Sequence, residues 1–301
     1  MNPARPAPSC HPTGDVTLSV IAPCFNEEAN IDALVDRTLA MLDSIGESGE
    51  LVLVDDGSSD DTQVRIRDRS TKDVRVRGVF HQRNQGIEAA WHSGLTAAAG
   101  RLVCLIDADL QNRPEDIAVL MAAYRSESHD LIQAVRHPAW SQERSRIFTR
   151  GLNFLLNRSF GMRLRDNKSG FVLCRREVLQ AILQHRFHYR YFQSFIGVAA
   201  HQRGFTIAEV DTTFDLRSGG RSFLPHRPLR VSMQILWELA KFRVETWFEA
   251  AMGRTKMIFA PPPSRLDRTA AHADSNKIGS TAPSGDPNVP AMQASGLVGR
   301  T

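Results

Sequence analysis

Short apolar, β-branched runs alternate with segments of helical spacing through the first half of the chain, and this rhythm constrains the fold more than any other feature. The runs are Leu18 to Ala22, Leu51 to Val54, Val74 to Phe80, Leu102 to Ile106 and Leu131 to Val135. Between them, Ile31 to Ile45, Asp60 to Arg69, Ile87 to Ala99 and Pro114 to Tyr124 carry apolar residues at helical intervals, with Pro114 suited to a first turn. Strand, helix and strand in succession predict an α/β fold with a mostly parallel central sheet and helices on both faces. Such sheets bind ligands beyond the carboxyl ends of their strands. The residues there are polar: Pro23 to Glu28, Asp55 to Asp61, Gln82 to Gly86 and Asp107 to Gln111.

At 301 residues and 42% hydrophobic content, the chain supplies one core of roughly 230 to 250 residues. Lys plus Arg exceeds Asp plus Glu by 37 − 33 = 4, a modest excess that fits local anionic ligands such as phosphates or anionic lipid, not a nucleic-acid tract. Cys10, Cys24, Cys104 and Cys174 lack metal-ligand spacing and are expected to be free thiols in a reducing cytoplasm. No stretch approaches the ~18 apolar residues that span a bilayer, and the Pro-rich start is unlike a signal peptide. A cytoplasmic protein, or one peripheral on the inner face of the membrane, is expected. The predicted organisation is a disordered tail over 1–15, one domain over 16–227, an amphipathic helical segment over 228–253 and a disordered tail over 254–301. In the helical segment the pattern sets Leu229, Met233, Leu236, Leu239, Ala240, Phe242 and Trp247 near one face. This helix either lies on a membrane surface through Trp237, Phe242, Trp247 and Phe248, or packs on the core or a second subunit.

Asp107-Ala108-Asp109-Leu110-Gln111 sets two carboxylates one residue apart after a buried strand, where a cation or strong donors must offset their repulsion. Mg2+ or Mn2+ bridging a diphosphate meets that need, and Gln111 adds a neutral oxygen. A lone D-x-D is better explained by aspartates capping a helix before Pro114; the other loops shift the balance. Val54 to Asp60 offers tandem carboxylates and helix-N-terminal amides. Pro23 to Glu28 offers polar groups that reach a nucleobase edge.

In this order and spacing the segments resemble family 2 glycosyltransferases of the GT-A, Rossmann-like fold, especially the branch of dolichol-phosphate mannose synthase and bacterial polyprenyl-phosphate glycosyltransferases. Their pattern P-x-Y-N-E, V-D-D-G-S-x-D, N-x-G and D-A-D-L-Q-x-x-P-E is matched by Pro23 to Glu27 with Phe25 for Tyr, Val54 to Asp60, Asn84 to Gly86 and Asp107 to Glu115. Further along, Asp166 to Phe171 is similar to D-x-x-S-G-F, and Phe214 to Ser222 to F-x-x-R-x-x-G-x-S. The resemblance implies a nucleotide-sugar donor, UDP- or GDP-linked, held by Pro23, Phe25, Asn26, Glu27, Asp55, Asp56, Ser58, Gly86, Asp107 and Ala108. It further implies Mg2+ or Mn2+ on Asp107, Asp109 and Gln111, and transfer with inversion.

The acceptor decides whether a base is needed, because an alcohol must lose its proton during attack and a lipid phosphate is already anionic. The Glu-Asp pair and Q-x-x-R-W motif that sugar-polymerising relatives carry in their second half do not appear in the second half of this chain. Arginines suited to phosphate occur instead. The resemblance assigns an acceptor polyprenyl phosphate to Arg136, Arg146, Thr149, Arg150, Arg217 and Ser222. It gives catalytic roles to Asp109, Asp166 and Arg217. Asp166 is a base if the acceptor is an alcohol, or a positioning group if it is a phosphate; the second is favoured. Phe223 stands where relatives carry Lys, which removes one cation from the phosphate site. The competing readings are the same donor chemistry with a soluble acceptor, a nucleotidyltransferase, and a nucleotide-sugar binding protein without turnover. A homo-oligomer is compatible with all of them.

Overall fold

The computed structural model describes residues 16–126, 128–136, 143–167, 169–185, 187, 189, 192–215 and 228–251. Seven strands form one sheet: β1 (Leu18–Cys24), β2 (Gly49–Asp55), β3 (Val76–Phe80), β4 (Leu102–Leu105), β5 (Leu131–Arg136), β6 (Val172–Arg175) and β7 (Ile207–Thr212), in the order β3-β2-β1-β4-β6-β5-β7. Every residue of β2 is buried, as is all of β1 except Pro23. Strands covered on both faces read as continuous apolar runs, which is why these two were plain in the sequence. β1 pairs in parallel with β2 and β4, and β2 with β3.

The second half departs from that regularity. β6 lies between β4 and β5 and is antiparallel to both, while β5 and β7 are parallel. The sheet is therefore mixed, though mostly parallel. The four residues of β6 are too few to display a period, so its direction is decided by its neighbours.

The helices are α1 (Ile31–Ile45), α2 (Thr62–Lys72), α3 (Ile87–Ala97), α4 (Ile117–Ser126), α5 (Glu143–Phe160), α6 (Arg176–Leu183), α7 (Ile196–Gln202) and α8 (Pro228–Ala251). In α1 the buried residues Ile31, Leu34, Val35, Thr38, Leu39 and Leu42 repeat at three- and four-residue steps, forming one core-facing stripe. Gly46, at φ 65°, ends it by donating its N–H to the Asp43 carbonyl. The helix expected from Pro114 opens as a 3-10 turn over Pro114–Asp116 before α4.

Two apolar clusters occupy the two faces of the sheet. One gathers α1, Ile66 of α2 and α4 against Val20, Leu51 and Leu53. The other gathers α3, α5, α6, α7 and α8 around Trp91, Phe192, Phe195 and Phe242. The Phe242 ring stacks on Phe195 with centroids 5.8 Å apart and meets Phe160 edge-on at 6.1 Å. Truncating an aromatic so enclosed to alanine costs about 3–5 kcal/mol.

The face that α8 buries differs from the one its apolar pattern predicts. Ile235, Glu238, Leu239, Phe242 and Glu245 are buried, whereas Met233, Leu236, Trp237, Val244, Trp247 and Phe248 are exposed. Met233, Leu236 and Trp247 therefore do not share the buried side with Leu239 and Phe242. Apolar residues line both sides of this helix, so periodicity could not choose between them; contact with α5 and the 192–195 turn did. Among the described residues no helix is long and apolar enough to cross a membrane. Cys24, Cys104 and Cys174 are free and buried, and burial raises each thiol, Cys174 to about 12. Cys10 lies outside the described residues.

Candidate active site at the carboxyl edge of the sheet

Four strand ends deliver their loops to one edge, and the first two loops are joined by side chains. Asn26, at the positive φ of 56°, accepts the Ser59 N–H on its Oδ1 at 2.8 Å and donates its own N–H to Ser58 Oγ at 2.9 Å. The Glu27 N–H reaches Thr62 Oγ1 at 2.8 Å, and the Asp61 N–H reaches Glu28 at 3.0 Å. The Glu27 carboxylate accepts the Asn30 amide at 2.6 Å. Asp55 is buried and receives the Ser58 N–H at 3.1 Å. Pro23, Phe25 and Ser58 are half-buried beside this seam.

Asp56 binds the third loop. Its two carboxylate oxygens accept the N–H groups of Gln85 (2.9 Å) and Gly86 (2.8 Å), and His81 Nδ1 lies 2.7 Å from Oδ1. The other His81 ring nitrogen is 2.8 Å from Ser93 Oγ. With Asp56 ionised, Nδ1 carries the proton and Nε2 accepts from the serine. The backbone of this loop also crosses Gly57, whose φ is 72°; a Cβ there would stand 2.5 Å from the Arg83 carbonyl carbon. Only glycine admits both that conformation and that approach. Asp56 thus orients Gly86, and a cavity of about 560 Å³ opens between Asn84–Ala89 and Gln234, Trp237 and Lys241 of α8.

The fourth loop carries the paired carboxylates. Asp107 and Asp109 are half-buried, Ala108 is buried, and Leu110 turns the chain at φ 60°. Asp107 Oδ2 accepts the side-chain amides of Asn112 and Gln193, each at 3.4 Å, and Asp109 Oδ1 accepts the Gln111 N–H at 3.1 Å. Gly170 lies under Gln193: a Cβ would stand 2.7 Å from the Gln193 Nε2. Among the described residues no cluster of three or more His, Cys, Asp or Glu is arranged to hold a metal. Two oriented carboxylates at a strand end fit a hard cation that takes its other oxygens from a diphosphate and water. They do not fit an ion caged by protein alone.

Asp166 is buried on the loop after α5, with its N–H on Glu209 at 3.2 Å and its carbonyl accepting the Gln133 amide. Gln133 is registered against Val172, and Val172 against Leu105, two residues before Asp107. Arg136 ends β5, and Arg146, Thr149 and Arg150 lie on α5; their side chains fall outside the described residues, as do Arg217 and Ser222 altogether.

Sequence reasoning missed four residues. Gln193 and Asn112 orient Asp107. Arg113 pairs with Asp215 through bonds of 2.6 and 2.7 Å, on a bridge between Asn112 and Phe214. Gln193 and Asp215 are 86 and 102 residues from their partners, so no local pattern marks them.

Residues 19–183 match the family described as Glycosyl transferase family 2. The chain is 35% identical over 206 residues to an undecaprenyl-phosphate 4-deoxy-4-formamido-L-arabinose transferase of Shewanella sediminis, covering 68% of this chain and 61% of that relative's length. It is 31% identical over 233 residues to a dodecaprenyl-phosphate galacturonate synthase of Rhizobium johnstonii, covering 75% and 67%. A crystal structure of glucosyl-3-phosphoglycerate synthase from Mycobacterium tuberculosis with Mn2+, UDP-glucose and phosphoglyceric acid aligns at a TM-score of 0.60 and 23% identity. That alignment covers 76% of this chain and 80% of the synthase, and the likeness is one of fold. With the D-x-D turn and its three companion loops at the sheet edge, the match over 19–183 leads to one conclusion: this chain belongs to glycosyl transferase family 2.

Proposed function

We propose that this protein is an inverting glycosyltransferase that moves a hexose or N-acetylhexosamine from a UDP- or GDP-sugar to polyprenyl phosphate. The observation that carries the donor half is the convergence of Asp107 and Asp109 with the joined loops of Asn26, Asp55 and Asp56. The acceptor half is supported by relatives whose names specify undecaprenyl and dodecaprenyl phosphates. In this reading Pro23, Phe25, Asn26, Glu27, Asp55 and Ser58 shape the nucleoside pocket, and Asp56 acts on it by holding Gly86. Asp107, Asp109 and Gln111 hold Mg2+ or Mn2+ beside the diphosphate. The cation, when bound, supplies Lewis-acid stabilisation of the leaving nucleoside diphosphate.

The acceptor phosphate oxygen forms the new bond at the anomeric carbon as the bond to the diphosphate breaks, and the electron pair leaves with the nucleotide. Because the attacking oxygen is already anionic, no side chain has to remove a proton. Asp166 then positions the sugar or an arginine. Arg136, Arg146, Thr149, Arg150, Arg217 and Ser222 hold the acceptor phosphate. The proposed catalytic domain covers 16–227, followed by the helical segment at 228–253.

The exposed side of α8 supports peripheral attachment to a membrane: Met233, Trp237 and Trp247 are each about two-thirds exposed, with Arg243 also exposed. Aromatic and aliphatic groups beside cations suit an interfacial helix.

Purified protein incubated with Mg2+ or Mn2+, radiolabelled UDP- and GDP-sugars, and polyprenyl phosphate should place label in the lipid fraction. Label on a water-soluble acceptor alone would replace the lipid reading. Cofloating with anionic vesicles should be lost on combining Trp237→Glu with Trp247→Glu; unchanged flotation would remove α8 from the membrane contact.

A further inference from the structure

The chain segment Thr213–Asp215 is fastened to the D-x-D loop at successive positions. The Thr213 N–H donates to Asp116 at 3.0 Å, Phe214 bridges Asn112, and the Asp215 N–H donates to the Gln111 carbonyl at 2.8 Å. The Arg113 guanidinium closes the end of this short ladder with a two-pronged bond to the Asp215 carboxylate. The two residues held by this segment, Gln111 by a backbone hydrogen bond and Asn112 by bridge pairing, are among those that orient the proposed cation carboxylates: the Gln111 N–H donates to Asp109 and the Asn112 amide to Asp107. On the far side of the loop Arg37 of α1 forks onto Glu115 at 2.8 and 2.6 Å. The loop is therefore held between α1 and the strand end after β7.

We infer that Arg113 and Asp215 are a positioning pair that sets the geometry of the Asp107/Asp109 cation site from the acceptor half of the chain. The inference rests on the cation reading above and adds to it residues that do not touch the ion. An isolated pair as exposed as this one, 42% and 36%, contributes little to stability. Its effect is positional: without the fork, the ladder under Gln111 and Asn112 loses its closure, and the carboxylates lose a fixed backbone. Both charges are mutually reinforced, the Asp215 carboxyl being lowered and the Arg113 guanidinium raised by their hydrogen bonds.

The test is a charge-swap cycle on the full chain: Arg113→Asp, Asp215→Arg, both together, and Asp215→Asn as a mild variant. Mn2+ affinity is read by electron paramagnetic resonance with saturating UDP and, in parallel, GDP, alongside thermal midpoints. Each single change should weaken Mn2+ binding roughly 3- to 10-fold with a small change in midpoint, and the swapped pair should recover most of it. Lys72→Glu, which breaks the remote Lys72–Asp68 pair, should leave Mn2+ affinity unchanged. Equal affinity in all variants, or a swapped pair no better than the singles, would overturn the inference alone. No Mn2+ binding by the unsubstituted protein would remove the cation reading, and this inference with it.

Discussion

The loops after β1 to β4, the proposed donor half, and the buried polar groups from β5 onward, the proposed acceptor half, are built differently. In the first, loops after β1, β2 and β3 satisfy one another: Asn26 with Ser58 and Ser59, Glu27 with Thr62 and Asn30, Asp56 with Gln85 and Gly86. In the second, side-chain amides tie the Asp166 loop, with Asn153 donating to the Arg165 carbonyl and Asn157 to that of Leu164. Yet the buried Gln133 Oε1 and Asn167 Oδ1 find no hydrogen-bond partner among the described residues, and both lie within 4 Å of the position a Cβ on Gly197 would take. Native interiors pair nearly all such groups, and exceptions gather where function needs them. The first three loops are thus closed by their own bonds, whereas Gln133 and Asn167 each leave an acceptor unpaired among the described residues, as Asn112 does with its Oδ1 beside Asp107. Preorganised groups stabilise developing charge without reorganising first, which suits the edge at which the proposed reaction would release a diphosphate.

The largest effect should come from the donor edge. Asp109→Asn removes one carboxylate from the proposed cation pair, and loss of the Lewis-acid stabilisation that the cation would supply, worth several kcal/mol, should lower turnover on the order of 10³-fold. Initial rates across a Mn2+ series measure it, with the thermal midpoint nearly unchanged; full activity at limiting metal would reject the assignment. Gly57→Ala should cost about 2–4 kcal/mol in denaturant unfolding, since it adds a positive φ to a clash with the Arg83 backbone. Gly204→Ala shares the positive φ, at 79°, but meets open space, so it should cost only about 1 kcal/mol. Equal costs would show that the crossing of loops two and three is loose.

A pH titration probes the other half. Burial lowers His185 to about 4 from 6.5, and its side chain is almost fully enclosed beside Glu88. Well above pH 6.5 the imidazole is neutral in both folded and unfolded chains and contributes no slope. Between 6.5 and 4 the unfolded chain binds a proton that the folded one refuses, so stability falls by about 2–3 kcal/mol as pH drops. Unfolding curves from pH 7 to 4 should show that slope, and His185→Gln should flatten it. The smallest effect crosses the two halves. Gly170→Ala displaces Gln193 from Asp107 and should weaken Mn2+ binding by about 3-fold, the scale of one modest hydrogen bond. No change would mean that Asn112 suffices to hold the carboxylate.

Much of the donor half was readable from the chain. The apolar runs of β1 and β2 are long enough to announce buried parallel strands. Asp55 ends β2, and Asp56, Asp107 and Asp109 stand just past strand ends, so chain direction alone put them at one edge. The second half resisted reading because its signals are short or ambiguous. β6 has four residues, and α8 is apolar on two sides. Role as well as position escaped the donor loops: nothing in Val54 to Asp60 separates Asp55, which receives its own loop's amide, from Asp56, which turns to hold the next loop.

Local chemistry explains the division. Strand period, helical spacing and turn residues act within a few positions, so sequence alone settled the α/β class, the four polar loops and the D-x-D turn. Contacts over long separations settled the rest: the antiparallel placement of β6, the face that α8 buries, the grip of Gln193 on Asp107 and the fork of Arg113 on Asp215. The last two span 86 and 102 residues. Amide donors and charged forks are common on any surface. What makes these four residues part of a site is that the fold brings the 192–195 turn and the chain after β7 against the loop that follows β4.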